Sequence, residues 1–180
     1  MPKSLFDLKD KVAIVTGSTK GIGKSIAEEL ARAGAKVVIS SRKAEACDAV
    51  RAEFEQQGFE VLAQPCNVSR KEDLQSLVDL TVARWGRVDI VVANAAANPY
   101  YGPLHAIPDE AFDKVFLNNV KSVLWLAGIT IPGMAERGGG SFITVGSIGG
   151  IIANTVIGAY GISKAADHHL VRNLAAEWGP

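Results

Sequence analysis

The chain has 180 residues, 48% hydrophobic and 21% charged, with nineteen basic and nineteen acidic side chains and a formal net charge of zero. This length suits one domain that buries roughly 70% of the unfolded chain's surface, and the composition excludes disordered and fibrous classes. A neutral chain lacks the basic footprint of a nucleic-acid binder, so nucleic acid is not expected as a partner.

The first ten residues, from Met1 to Asp10, hold no apolar run of signal-peptide length. No segment approaches about 20 uninterrupted apolar residues. The chain is expected to be soluble and cytoplasmic, with no membrane partner.

Short apolar runs alternate with longer helical patterns along the sequence. Residues 12–16 precede a helix over 22–33; 36–40 precede 44–57; 60–64 precede 71–85; 88–93 precede 109–135; and 141–146 precede 158–178. Five strand-helix units in succession predict an α/β domain, a parallel sheet with helices on both faces. Right-handed crossovers then favour a doubly wound, Rossmann-type sheet. Runs such as Val12-Ala13-Ile14-Val15 are apolar at nearly every position, as a strand covered on both faces requires. Gly138-Gly139-Gly140 reads as a helix stop before the fifth strand. Neither low-complexity segments nor a fixed-period repeat interrupts the pattern.

Directly after the first strand comes Thr16-Gly17-Ser18-Thr19-Lys20-Gly21-Ile22-Gly23, which opens a helix. Its glycines allow a tight turn and close backbone approach, and a helix N-terminus offers free amides to a pyrophosphate. The spacing is Gly-x-x-x-Gly-x-Gly, so a plain strand-helix turn remains the other reading. The second strand ends in Ser40-Ser41-Arg42-Lys43, with no acid to bind a ribose 2′-hydroxyl. Arg42, together with Lys20, can instead meet a 2′-phosphate, which points to NADP rather than NAD. Arg42 as a solvated cation at a helix start is the competing explanation.

Cys47 and Cys66 show no Cys-x-x-Cys spacing and have no histidine at ligand distance, so buried thiols are expected and no metal. His168 and His169 are neighbours on a predicted helix, where only one of the two can face a given site. They are read as surface or interface residues.

Tyr160 and Lys164 stand four residues apart, and Ser147 lies thirteen before the tyrosine. On one helix this spacing puts a phenol and an ammonium on the same face, one turn apart. A free tyrosine has a pKa of about 10, and a nearby cation favours the phenolate, suiting it to general acid-base work. The pair alone could equally be a solvated face.

Taken together, these motifs resemble the short-chain dehydrogenase/reductase superfamily, in its single-domain type, from about Asp10 to the last residue. The family's cofactor loop corresponds to Thr16 through Gly23, its Tyr-x-x-x-Lys to Tyr160 and Lys164, and its active-site serine to Ser147. Its relay asparagine corresponds to Asn119 in Leu117-Asn118-Asn119-Val120-Lys121. The resemblance implies that Tyr160 is the general acid-base, that Lys164 supports it and binds the nicotinamide ribose, and that Ser147 orients the substrate carbonyl. Asn119 is implied to hold a water that links Lys164 to solvent. The adenine-contacting acid after the third strand falls on Asn67, followed by Val68. The fourth-strand motif reads Ala93-Asn94-Ala95-Ala96, which keeps the Asn94 anchor and places Ala95 at the cofactor, with alanine where the family has glycine. Ser41-Arg42-Lys43 and the stretch from Ala97 to Gly102 are similar to the NADP-dependent retinol dehydrogenase/carbonyl reductase branch and its bacterial relatives.

The implied function is hydride transfer between NADP(H) and a small-molecule carbonyl or secondary alcohol. The alternatives are a 3-oxoacyl thioester reductase of the same fold, or a truncated NADP-binding protein without catalysis. Family members are commonly dimers or tetramers built partly through the helices expected over 109–135 and 158–178, so a homo-oligomer is implied. Relatives continue for roughly 70 more residues, with two further strands, a Pro-Gly motif and a substrate lid. In strand order 3-2-1-4-5, residues 141–145 would then be an uncovered apolar edge, inviting pairing with another chain. The chain is expected to be part of a longer product or to rely on a partner.

Overall fold

Each of the five apolar runs forms a strand in the computed structural model, which describes residues 6–179. The strands are β1 (Val12–Thr16), β2 (Lys36–Ser40), β3 (Val61–Ala63), β4 (Ile90–Ala93) and β5 (Ser141–Thr144). Helices α1 (Gly21–Arg32), α2 (Ala44–Gln56), α3 (Lys71–Trp85), α4 (Asp109–Phe116), α5 (Ser122–Glu136) and α6 (Gly158–Trp178) connect and follow them. The sheet is wholly parallel, as the alternation predicts, and runs in the order β3-β2-β1-β4-β5 expected with the family resemblance. Central β1 aligns Val15 with Ile39 of β2 and with Val92 of β4.

Successive strand residues point to opposite faces, and this divides the core in two. Ile14, Val38 and Val91 pack with Leu74 and Leu77 of α3 and Leu126 of α5. On the other face Val15, Val37 and Ile39 meet Ala27 and Ala31 of α1 and Phe54 of α2. Small residues one turn apart on α1 let that helix lie close to the sheet.

β4 begins at Ile90 rather than at residue 88, because Asp89 serves another purpose. Its buried carboxylate accepts from the Val12 amide at 2.9 Å and pairs with Arg87, fixing where β1 and β4 start. The helix expected over 109–135 is interrupted by a π turn at Leu117–Lys121, which joins α4 to α5. By length and composition Asp109–Glu136 could cross a membrane, with mean hydropathy 1.2. Here Val123, Leu126, Ala127 and Met134 are buried beneath the sheet, the behaviour of a core helix.

Gly138 and Gly139 adopt φ of +87° and +125°, ending α5 as expected. β5 is the outer strand, with Ile143 48% exposed, and among the described residues nothing pairs with its free side. A groove of about 660 Å³ runs beside it, lined by Ile131, Met134, Phe142, Leu174 and Trp178.

Candidate active site

All the loops that carry the candidate cofactor residues leave the C-terminal ends of β1 to β4, where open α/β sheets bind ligands. Gly17 has φ of +67°, and Asn94 reaches across from β4 to donate through Nδ2 to the Thr16 and Gly17 carbonyls at 2.9 and 3.2 Å. The Thr16 hydroxyl accepts from the Asn94 and Ala95 amides at 3.0 and 3.1 Å. At Gly23 a Cβ would overlap both the Asn94 amide and the Gly17 carbonyl, so only glycine lets α1 begin this close to β4.

The first turn of α1 has no side-chain cap and no acidic residue, and it includes Gly21 and the exposed Ile22. Its amides are thus open to an anion. Lys20, just before α1, and Arg42, after β2, are exposed, and among the described residues neither side chain has an acidic partner. An ammonium at an open helix N-terminus, with a guanidinium in the loop after the adjacent strand β2, suits the phosphates of a nicotinamide nucleotide.

Three expected cofactor contacts take different parts. The Ser18 hydroxyl, fully buried, accepts from the Ser40 amide at 2.8 Å, and the Ser18 amide donates to the Ser40 carbonyl at 3.0 Å. It clamps the loop to β2 and has no free donor for a phosphate; the half-buried hydroxyl of Thr19, absent from the sequence-based set, is uncommitted instead. Val68 is 9% exposed and belongs to the apolar cluster around Leu74 and Leu77. Ser41 orders the start of α2, its hydroxyl accepting from the Lys43 amide at 3.4 Å and lying 3.3 Å from the Cys47 sulfur.

Asn67 is half-buried, and its Oδ1 accepts from the Ser69 amide at 3.3 Å and hydroxyl at 2.8 Å. Only its amide donors remain, so Asn67 can donate to a ring nitrogen but cannot accept from an exocyclic amine as a second carboxylate oxygen would. Ala96 shows no strain, since Asp10 is the only described non-glycine residue with positive φ.

The catalytic half is built on backbone-to-backbone packing. After β5, the chain makes a 3₁₀ turn at Ile148–Gly150 that lies against α6. A Cβ on Gly150 would come 2.7 Å from the Lys164 carbonyl carbon, and one on Gly161 would come 2.7 Å from the Gly149 carbonyl oxygen. These glycines bring Ser147 to the helix face that carries Tyr160 and Lys164. The Ser147 hydroxyl accepts from the Gly149 amide at 3.1 Å and keeps its own proton available to a ligand. Tyr160 is half-buried and opens into a cleft of about 390 Å³ lined by Ala96, Ala97, Asn98, Tyr101 and Ile157. Gly102 donates to the Val156 carbonyl at 2.8 Å, tying together the two loops that border this cleft.

Lys164 is 4% exposed, and its Nζ lies 5.9 Å from the Tyr160 ring centroid. Nζ donates to the Val145 carbonyl at 3.0 Å and to Asp167 Oδ2 at 2.9 Å. Asp167 is a polar residue of this site that the sequence motifs do not flag; burial holds its carboxyl above the usual carboxylate range, an effect partly offset by Lys164.

Asn119 sits fully buried in the π turn. Its Nδ2 donates to the Ala97 carbonyl and to the Ser163 hydroxyl, both at 3.0 Å, while Oδ1 accepts from the Ala97 amide at 2.7 Å. The side chain therefore joins the loop after β4 to the residue preceding Lys164. One Oδ1 lone pair is what remains of the side chain for holding a water.

Cys47 and Cys66 are free and buried, and burial pushes the Cys66 thiol up to about 12. His168 packs against Gly146 and His169 is exposed. Among the described residues no three His, Cys, Asp or Glu side chains gather into a metal site.

This architecture is that of a nucleotide-binding α/β fold with a Ser-Tyr-Lys cluster at its carboxyl edge, and known proteins share it. The family model described as short chain dehydrogenase matches residues 11–180. Dehydrogenase/reductase SDR family member 4 from Sus scrofa is 42% identical over 173 residues, which cover 96% of this chain and 62% of the relative. Among solved structures, a 7α-hydroxysteroid dehydrogenase complexed with NADH and 7-oxo glycochenodeoxycholic acid superposes with a TM-score of 0.92 at 37% identity, covering 97% of this chain and 68% of that one. A short-chain type dehydrogenase/reductase from Mycobacterium marinum gives a TM-score of 0.92 at 34% identity, covering 98% and 72%. The chain belongs to the short-chain dehydrogenase/reductase family of oxidoreductases, which use a nicotinamide nucleotide. It spans 62% of the length of its Sus scrofa relative.

Proposed function

We propose that the protein bearing this chain transfers a hydride between NADP(H) and a carbonyl or secondary-alcohol carbon, with Tyr160 as general acid-base. The observation that carries the reading is the glycine-mediated packing of the Ser147 turn against α6, the helix that carries Tyr160 at the cleft and the buried Lys164 four residues further on. The nicotinamide ring supplies or accepts the hydride when bound. Open amides at the start of α1 would hold the pyrophosphate, and Lys164 would meet the nicotinamide ribose hydroxyls. Ser147 would hold the substrate oxygen, and Tyr160 would pass its phenolic proton to that oxygen as the carbonyl is reduced. Reduction thus consumes one hydride and one proton, and oxidation returns both.

NADP is favoured over NAD by Arg42, which follows β2 where NAD-selective folds place an acid, and by Lys20 in the glycine loop, both without an acidic partner among the described residues. The substrate is read as a largely apolar ketone or alcohol. Tyr101, Ile148, Ile151, Ile152 and Val156 are exposed on the loops around Tyr160, and no charged side chain lines the cleft. The oxo-steroid in the related dehydrogenase's complex is a molecule of that kind.

Tyr160→Phe tests the assignment. Turnover of a ketone panel should fall by at least about a hundredfold, within the range of a lost general acid, while NADPH binding followed by fluorescence stays close to wild type. Unchanged turnover would remove Tyr160 from the chemistry.

A further inference from the structure

The Tyr160-x-x-x-Lys164 spacing places two residues on one helix face, and the structure adds a third. Asp167 follows Lys164 by three positions and Tyr160 by seven, so all three share one side of α6. Asp167 is fully buried. Its Oδ2 accepts from Lys164 Nζ at 2.9 Å, and its Oδ1 is the one buried side-chain oxygen or nitrogen, among the described residues, without a hydrogen-bond partner.

A half-satisfied carboxylate in a helix core is a poor way to stabilise a fold, because one oxygen has given up water for nothing. Its value lies in what it does to Lys164. An ammonium has four tetrahedral directions, and the Cε bond takes one. The Val145 carbonyl at 3.0 Å and Asp167 Oδ2 take two more. Only one N–H is left, and it cannot rotate unless one of the two hydrogen bonds breaks. Without Asp167 the ammonium would pivot about a single anchor on a flexible four-carbon stem.

We propose that Asp167 is a positioning residue that locks the Lys164 ammonium against the Val145 carbonyl, fixing its last N–H for the cofactor ribose and the Tyr160 side of the cleft. This rests on the reading of Tyr160 and Lys164 given above. Val145 directly follows β5 and stands two residues before Ser147. The same lock therefore ties α6 to the strand end from which Ser147 projects, so Asp167 sets Ser147 and Lys164 relative to each other.

The test is a double-mutant cycle in the intact protein, with Asp167→Leu and Asp167→Asn each made in wild type and in Lys164→Met. Asp167→Leu removes the acceptor, and it should lower kcat at least tenfold while the ketone KM stays within twofold. NADPH affinity, read by fluorescence titration, should fall about fivefold in the wild-type background and not at all in Lys164→Met, because Asp167 acts only through Lys164. Asp167→Asn keeps an oxygen for Lys164 and should retain a greater share of both properties; it carries the same cycle should the leucine variant fail to fold. Equal losses of NADPH affinity in both backgrounds, or a parallel change in KM and kcat, would overturn the proposal and leave Asp167 a structural residue. Full turnover by Lys164→Met alone would instead overturn the Tyr160–Lys164 reading.

Discussion

Asn94 at the end of β4 is hydrogen-bonded to Gly17 in the loop after β1, its Nδ2 lying 3.2 Å from the glycine carbonyl. The same amide leaves no room for a side chain on Gly23, so one residue holds the turn closed and forces glycine at the start of α1. The phosphate-binding geometry is thus supported from the neighbouring strand.

Asn94→Ala should cost about 1–3 kcal/mol of stability, since it deletes two hydrogen bonds and strands two loop carbonyls. Gly23→Ala should cost about the same by overpacking. Both variants should bind NADPH at least tenfold more weakly by fluorescence titration. Wild-type affinity in a folded Gly23→Ala protein would mean that the loop does not hold the nucleotide.

Cofactor choice is expected to follow the two free cations. Arg42→Asp should reverse the NADPH-over-NADH ratio of kcat/KM by at least tenfold, through loss of a charge-assisted bond and gain of repulsion. Lys20→Ala should shift the ratio in the same direction by less, because an exposed ammonium is a point charge with no fork. A ratio unmoved by both changes would sink the 2′-phosphate assignment.

The parallel sheet was legible because strand and helix runs alternate and every crossover is a helix, while the strand order was carried by the family resemblance. The cofactor loop was legible from its glycines, but not the division of labour within it. Nothing in the sequence distinguishes the buried hydroxyl of Ser18, spent on Ser40, from the uncommitted one of Thr19. Asn119 was found by resemblance, while the π turn that buries it has no sequence signature of its own. Asp167 was invisible for a similar reason: a Lys and an Asp three apart on a helix usually form a solvated pair. Here the pair is buried in the folded chain, where the Ile148–Gly150 turn packs on α6 beside Lys164.

Both thiols should be inert in the folded protein. Burial, reinforced by the Asp73 carboxylate, pushes Cys66 from 9.0 up to about 12, so it holds its proton at any working pH, and Cys47 is fully buried. A chromogenic disulfide reagent at mildly alkaline pH should label neither cysteine in native protein and both in denaturant. Because the folded value is the higher one, the protonated thiol's contribution to stability is intact below 9.0 and is lost only as pH rises toward 12. Rapid native labelling of Cys66 would contradict this burial.

Asp167 gives a pH dependence at the other end of the scale. Burial raises its carboxyl above the ordinary 3.8, with Lys164 and then His168 pulling the other way. These two charged or titratable groups share α6 with it. Of the elements packed against α6, the 148–150 turn has no ionisable side chain, α4 holds its Asp113 and Lys114 exposed, Lys121 of the π turn lies over the Trp125 ring, and Glu136 of α5 is exposed. A carboxyl whose folded value exceeds its unfolded one favours the folded state when protonated, so that contribution is full below 3.8 and is lost as pH rises through the raised value. Asp167→Asn cannot titrate. Thermal denaturation across pH should therefore show wild type losing ground to Asp167→Asn as pH climbs from below 3.8 through the raised value. A wild type that gains on the variant over that interval would show instead that the Lys164 ion pair outweighs burial at Asp167.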